Sequence, residues 1–178
     1  MKILLSKDST LQWLCTKYIF IAYLPVFSLG TGVSSKLGQI LSTKELRIKP
    51  KGYILEAPFN CMKDEVATFK SFKILTFIGG ITGLGATAEN LLEQADMLFD
   101  NGVWIPHIEQ PVMILHAKDD EIIPFDLAEK LFNHVKEKKA NVEFVPFNSN
   151  LNLGHNRIFK ALAQFDGIVL NFIQKALK

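Results

Sequence analysis

The feature that most restricts the fold is the run PVMILHA at 111–117, apolar almost throughout. A strand wetted on one face alternates apolar and polar residues, whereas a strand covered on both faces does not. The run therefore predicts an interior strand of a parallel sheet with helices on both sides. The residues after it agree. Residues 125–138 place Leu127, Leu131, Phe132 and Val135 on one side of a helix, and VEFVPF at 142–147 reads as the next strand. Residues 158–177 then read as a closing helix with Leu162, Phe165, Val169, Phe172 and Ile173 apolar. Strands alternating with helices are the pattern of α/β layers.

Upstream the pattern is less even. Residues 17–27 have β-type composition, with Pro25 confining such a strand to a sheet edge or an end. The apolar stretch 18–24 follows Lys7 and Lys17, so it has the length of a signal-peptide core. It has no clear small-residue cleavage site, polar residues and Asp8 precede it, and it is shorter than the roughly 20 residues that span a bilayer. A buried strand is the better reading. A small-residue turn, SLGTG at 28–32, leads into a helix over 33–42 with Val33, Leu37, Ile40 and Leu41 expected on its inner face. A basic loop follows at 47–51, then a short apolar strand at 52–57 stopped by Pro58. Residues 61–101 are the least regular: Phe69, Phe72, Ile74, Leu75, Phe77 and Ile78 are apolar, 78–86 is glycine-rich, and 89–99 looks helical. They read as a cap-like excursion from the sheet. The expected division is an atypical N-terminal segment, 1–27, and an α/β domain, 28–178, interrupted by that excursion.

Composition removes several function classes. A net charge of +2 over 178 residues supplies no field for nucleic acid. Cys15 and Cys61 stand far apart and in no metal spacing, so neither a disulfide scaffold nor a metal site is expected, and no cofactor is implied. The glycines of 78–86 lack the lysine and spacing of a phosphate-binding loop. Lys136-Glu137-Lys138-Lys139 reads as a solvated helix end, where cations suit the dipole.

Three places carry chemistry. A hydrolytic serine on a strained strand-to-helix turn sits within G-x-S-x-G, because the backbone must turn sharply and pack closely there. Val26-Phe27-Ser28-Leu29-Gly30 keeps the second glycine and replaces the first by valine. A serine in such a stretch also serves as a plain turn or helix cap. Lys118-Asp119-Asp120-Glu121 follows the apolar strand, and an acid at the C-terminal end of a parallel strand sits where such sheets bind ligands. Asp120 would orient and stabilise an imidazole, with Asp119 as its rival. Alternatively, both aspartates cap the following helix. The last place is Leu153-Gly154-His155-Asn156, in the loop between the last strand and the last helix. His155 is either a base reaching from that loop or an ordinary surface histidine. His107, His116 and His134 are weaker candidates, with His116 expected to pack or hydrogen-bond locally. Ser28, Asp120 and His155 follow one another in the chain order of α/β hydrolases, each at a strand-to-helix junction.

Ser28-Leu29-Gly30-Thr31-Gly32-Val33, Ile54-Leu55-Glu56-Ala57-Pro58-Phe59-Asn60, the stretch from Pro111 through Ala117 to Asp120, Val142-Glu143-Phe144-Val145-Pro146-Phe147 and His155-Asn156-Arg157-Ile158-Phe159-Lys160 resemble the abhydrolase-domain-12 group, lysophosphatidylserine and monoacylglycerol lipases. The resemblance runs from Ser28 to the C-terminus and thins between 61 and 102. It implies a partial α/β-hydrolase fold, the C-terminal half of a mostly parallel sheet flanked by helices. It also implies cleavage of lipid acyl esters such as monoacylglycerol or a lysophospholipid. Ser28 would be the nucleophile, Asp120 the acid, His155 the base, and the N–H of Leu29 an oxyanion donor. The implied partners are a lipid ester and a membrane surface, and the implied location is the endoplasmic reticulum membrane. Without the family's usual anchor in this sequence, a cytoplasmic location stays open.

The family pattern is G-H-S-L-G-T-G, and here Val26 and Phe27 stand where Gly and His belong. The strands that precede the elbow in the family do not fit into residues 1–27. With them would go the loop holding a second oxyanion donor, whose loss lowers rates by about 10²–10³. The expectation is a truncated isoform or a shifted gene-model boundary. The alternative function is a catalytically inactive remnant acting through binding or chain pairing.

Overall fold

The computed structural model describes residues 28–44, 50–61, 64, 99–155 and 157–177. The strand expected at 17–27, the signal-like stretch, the glycine run and most of the cap-like excursion lie outside the described residues.

In chain order the elements are α1 (Leu29–Ser42), β1 (Tyr53–Glu56), α2 (Asn101–Trp104), β2 (Val112–Ala117), α3 (Phe125–Lys136), β3 (Val142–Phe147) and α4 (Leu162–Ala176). Short 3-10 turns cover Ile105–His107, Ser149–Leu151 and Ile158–Lys160. The strands form one parallel sheet in the order β1-β2-β3. Tyr53 pairs with Val112 and Glu56 with Leu115; on the other side Val112 pairs with Val142 and Ala117 with Phe147. The closing helix starts later than its apolar spacing suggests, because the turn Ile158–Lys160 comes first.

The apolar run at the centre is explained by burial on both faces. Every residue of β1 and β2 is buried. Ile54, Met113 and Leu115 point to one side, into a core with Phe147, Ile158, Val169, Phe172 and Ile173 of the α4 layer. Tyr53, Leu55, Val112 and Ile114 point to the other, against Leu131 and Val135 of α3. β3 is the outer strand of the described sheet, and it tolerates Pro146, which is exposed, for that reason. Phe144 on the same strand stacks on Phe132 at 5.2 Å.

α1 corrects the sequence reading. Val33 and Leu37, expected inside, are 58% and 43% exposed. The buried side is instead Thr31, Gly32, Ser34, Ser35, Gly38 and Ser42. Close approach is the cause. A Cβ at Gly32 would lie 2.7 Å from the Phe99 Cα, and one at Gly38 2.8 Å from the Ile108 Cδ1 and 3.0 Å from the Tyr53 ring. Small side chains let the helix lie against the sheet where Val and Leu would hold it away. The hydroxyls this leaves inside find acceptors: Ser35 Oγ has the Thr31 carbonyl at 2.8 Å and the Asn101 Oδ1 at 2.6 Å to choose between, and Ser42 Oγ donates to the Gly38 carbonyl at 2.9 Å.

The end of α3 is a second correction. Lys136 and Lys138 are exposed, but Lys139 is buried, and its ammonium donates to the Ile108 carbonyl. Burial pushes this amine down to about 8.

Candidate functional site

The C-terminal ends of parallel strands converge on one edge of the sheet, and the expected site residues lie there. Ser28 immediately precedes α1 with φ 57° and ψ −118°. A non-glycine residue in such a conformation costs about 1–3 kcal/mol and persists only when its surroundings hold it. Here they do. The Ser28 amide donates to the Glu56 carbonyl at 3.4 Å, and the Ser28 carbonyl accepts from the Thr31 amide at 3.0 Å and the Thr31 hydroxyl at 2.6 Å. Leu29 is the first residue of α1, where a backbone N–H has no acceptor within the helix itself and is directed towards the helix N-terminus. Its side chain is exposed.

Asp120 sits just past β2 and is buried. Its Oδ1 accepts from the amides of Ile122 and Ile123, both at 2.9 Å, and its Oδ2 accepts from His155 Nδ1 at 2.8 Å. That bond fixes the tautomer: Nδ1 carries the proton, and Nε2 of a neutral His155 keeps its lone pair. Neither aspartate caps α3, whose N-cap is Pro124 with no side-chain bond. Asp119 has a different task. Its Oδ2 accepts from the Gly154 amide at 2.9 Å, holding the turn before His155. Gly154 has φ 58°, and a Cβ there would meet the Arg157 guanidinium at 2.9 Å. The histidine loop is thus fixed from both sides.

His116 is buried, as a strand-end residue packing locally should be. Its Nε2 lies 3.0 Å from the Ile123 carbonyl and 3.4 Å from Asp120 Oδ2. Burial pushes the imidazole down, so a neutral ring donates from Nε2 to Ile123 and closes off the back of Asp120. His107 and His134 are exposed.

Lysophosphatidylserine lipase ABHD12 of Danio rerio is 31% identical over 151 residues, 83% of this chain and 38% of the relative. Over most of its own length the chain is similar to ABHD12 lipases. The Rattus norvegicus lipase of that name is 31% identical over 153 residues, 84% of this chain and 37% of its own, and the human Protein ABHD12B is 30% identical over 118 residues, 66% and 31%. The chain thus spans 31–38% of the length of these curated relatives. No family model matches it. Among solved structures, the Pyrococcus furiosus esterase Pf2001 superposes with a TM-score of 0.55 at 14% identity, over 85% of this chain and 52% of the esterase. The Pyrococcus horikoshii acylaminoacyl peptidase gives 0.54 at 15%, over 85% and 25%. The described residues thus have a partial α/β-hydrolase fold.

Two residues near this site escaped the sequence reading. Asn101 is fully buried: its Nδ2 donates to the Phe59 carbonyl at 2.8 Å and to Thr31 Oγ1 at 3.2 Å, and its Oδ1 accepts from Ser35 at 2.6 Å. Nothing in its local sequence shows a partner 70 residues away. Glu56 is the other. It is 5% exposed at the end of β1, and its Oε1 accepts from the Ile158 amide at 3.3 Å. The signal for Glu56 was legible, since it is an acid ending an apolar parallel strand, the same argument that singles out Asp120.

Burial is the main cause holding the Glu56 carboxyl up at about 7, with the Ile158 amide and His155 pulling down and Asp120 pushing up. The unfolded chain ionises this group near 4.3. Between those values the folded protein holds a proton that the unfolded chain has lost. Stability from Glu56 is therefore complete below about pH 4.3 and is lost as pH rises through 7. Glu56→Gln removes the titration. We expect urea denaturation to show the variant gaining on wild type by about 3 kcal/mol between pH 4.5 and 8. A constant difference across that range would contradict the assignment.

Proposed function

We propose that this chain carries the chemistry of a serine hydrolase cleaving acyl esters of lipids, with Ser28, His155 and Asp120 as nucleophile, base and acid. The observation that carries the reading is the 2.8 Å bond from His155 Nδ1 to Asp120, at the same sheet edge where Ser28 is held at φ 57°. With Nδ1–H committed to Asp120, Nε2 is the basic nitrogen. Ser28 Oγ attacks the ester carbonyl as its proton passes to Nε2, and the Leu29 amide meets the developing oxyanion. The intermediate collapses, the alcohol leaves with the proton from His155, and water repeats the sequence on the acyl-enzyme. Asp120 stabilises the imidazolium formed in each half.

The substrate class follows from kinship. The relatives' names point to lysophosphatidylserine, and monoacylglycerols share its single acyl chain and glycerol ester. Such substrates present themselves at a membrane surface, and an endoplasmic reticulum location belongs to the same proposal. No helix among the described residues is long and apolar enough to cross a membrane.

A fluorophosphonate probe reacts with a serine only when its surroundings make it nucleophilic. The purified chain should label and Ser28→Ala should not, with release of fatty acid from lysophosphatidylserine or monoacylglycerol lost in parallel. A folded wild-type chain that fails to label would sink the proposal and leave the inactive-remnant reading standing.

A further inference from the structure

Glu56 joins the two halves of this site through different atoms. Its carbonyl receives the Ser28 amide and its carboxyl receives the amide of Ile158, three residues past His155. Ala57, with φ 49°, donates to the Leu115 carbonyl at 2.8 Å and turns the chain away, leaving Glu56 as the last residue of β1. Ile158 is fully buried, so its amide depends on a protein acceptor. The neighbouring face positions of β1 and β2, Ile54, Met113 and Leu115, are apolar. A carboxyl among them is unfavourable unless it is compensated, so its hydrogen bond to Ile158 calls for a role.

We infer that Glu56 is a positioning residue of the hydrolytic site, clasping the His155 loop to the strand that holds Ser28 and placing a second carboxyl charge beside the imidazole. The charge role rests on the hydrolase reading above; the clasp does not. Among the described residues, the charged groups bearing on Glu56 are His155 from the loop after β3 and Asp120 from the loop after β2. His116 lies behind Asp120, Asp119 is bonded to Gly154, and Arg157 Nε is bonded to the Leu153 carbonyl at 2.9 Å. From α1, Lys36 is directed away, over the Trp104 ring at 3.2 Å.

The chemistry adds to that of Asp120. When the Ser28 proton moves to Nε2, an ionised Glu56 stabilises the imidazolium, and a protonated Glu56 does not. Burial puts that ionisation at about 7. The help therefore switches on across neutral pH, while the hydrogen bond to Ile158 is available in both states. Gln at this position keeps an oxygen acceptor for Ile158 without the charge; Leu keeps neither.

The test follows fluorophosphonate labelling rates of the full chain from pH 6 to 8.5 for wild type, Glu56→Gln and Glu56→Leu, with amide exchange over residues 152–160 measured alongside. The ratio of wild-type to Glu56→Gln rate should grow about tenfold over that range. Exchange in 152–160 should quicken at least about tenfold in Glu56→Leu and return towards wild type in Glu56→Gln. A ratio that stays constant with pH overturns the charge role, and unaltered exchange in Glu56→Leu overturns the clasp. If wild type does not label but the exchange pattern holds, the hydrolase reading and the charge role fall and the clasp stands.

Discussion

Asp120→Asn should slow probe labelling and ester turnover by about 10⁴-fold while leaving the fold intact. The size follows from which oxygen does what. Oδ1 of Asp120 is committed to the amides of Ile122 and Ile123, and Oδ2 to His155. An asparagine has one oxygen, and two amide donors demand it, because the NH₂ group cannot accept from them. The NH₂ is then turned towards His155. It can only donate, so Nδ1 must surrender its proton, and Nε2 becomes the N–H. A base that carries its proton on the nitrogen facing the nucleophile cannot take another. Asp119→Asn is the contrast. Asp119 accepts a bond from the Gly154 amide, and an asparagine oxygen accepts it equally well, so we expect a loss within about tenfold. Labelling rates of the two variants decide between the aspartates, and imidazole nitrogen shifts report the tautomer. Equal losses would mean that the aspartate–histidine pair is not the working one.

The sequence put Asp120 forward with Asp119 as its rival and offered Asp119 no task of its own, since both follow the same strand and both suit a helix N-terminus. Only the path of the 152–155 loop separates them, and that path is set by contacts 35 residues away. The sheet was more legible. A strand buried on both faces is written in consecutive residues, as in 112–117, and an amphipathic helix such as α3 in its spacing. α1 was misread because hydrophobicity assigns the inner face to Val33 and Leu37. There the deciding force is proximity: Gly32 and Gly38 allow an approach that larger residues forbid, and the apolar residues are turned outward. Glu56 was quoted as part of a resemblance and left without a task. Its two bonds reach backwards to Ser28 and forwards to Ile158, and no local pattern contains both.

Asn101→Leu should destabilise the protein by about 3–5 kcal/mol in urea denaturation, despite replacing a polar residue by an apolar one of similar volume in a fully buried position. The substitution leaves the Phe59 carbonyl without its 2.8 Å donor and removes the acceptor of Ser35 Oγ and the donor to Thr31 Oγ1. Each buried group so orphaned costs about 1–3 kcal/mol. Ser35 can still turn to the Thr31 carbonyl, which keeps the total below a simple sum. The consequence reaches the elbow. Asn101 Nδ2–H points to Thr31 Oγ1, whose own proton goes to the Ser28 carbonyl, so the relay ends on the residue at φ 57°. Thr31→Val breaks the same relay one step later and keeps the Thr31 amide on Ser28, so a smaller loss, about 1–2 kcal/mol, is expected. If the two substitutions act on one connected network, the double variant loses less than the two single losses added together. Labelling of Ser28 should then fall in each variant in step with the loss of the relay. Strict additivity would mean that Asn101 supports the core alone and that the elbow is held by the Thr31 amide and Glu56 without it.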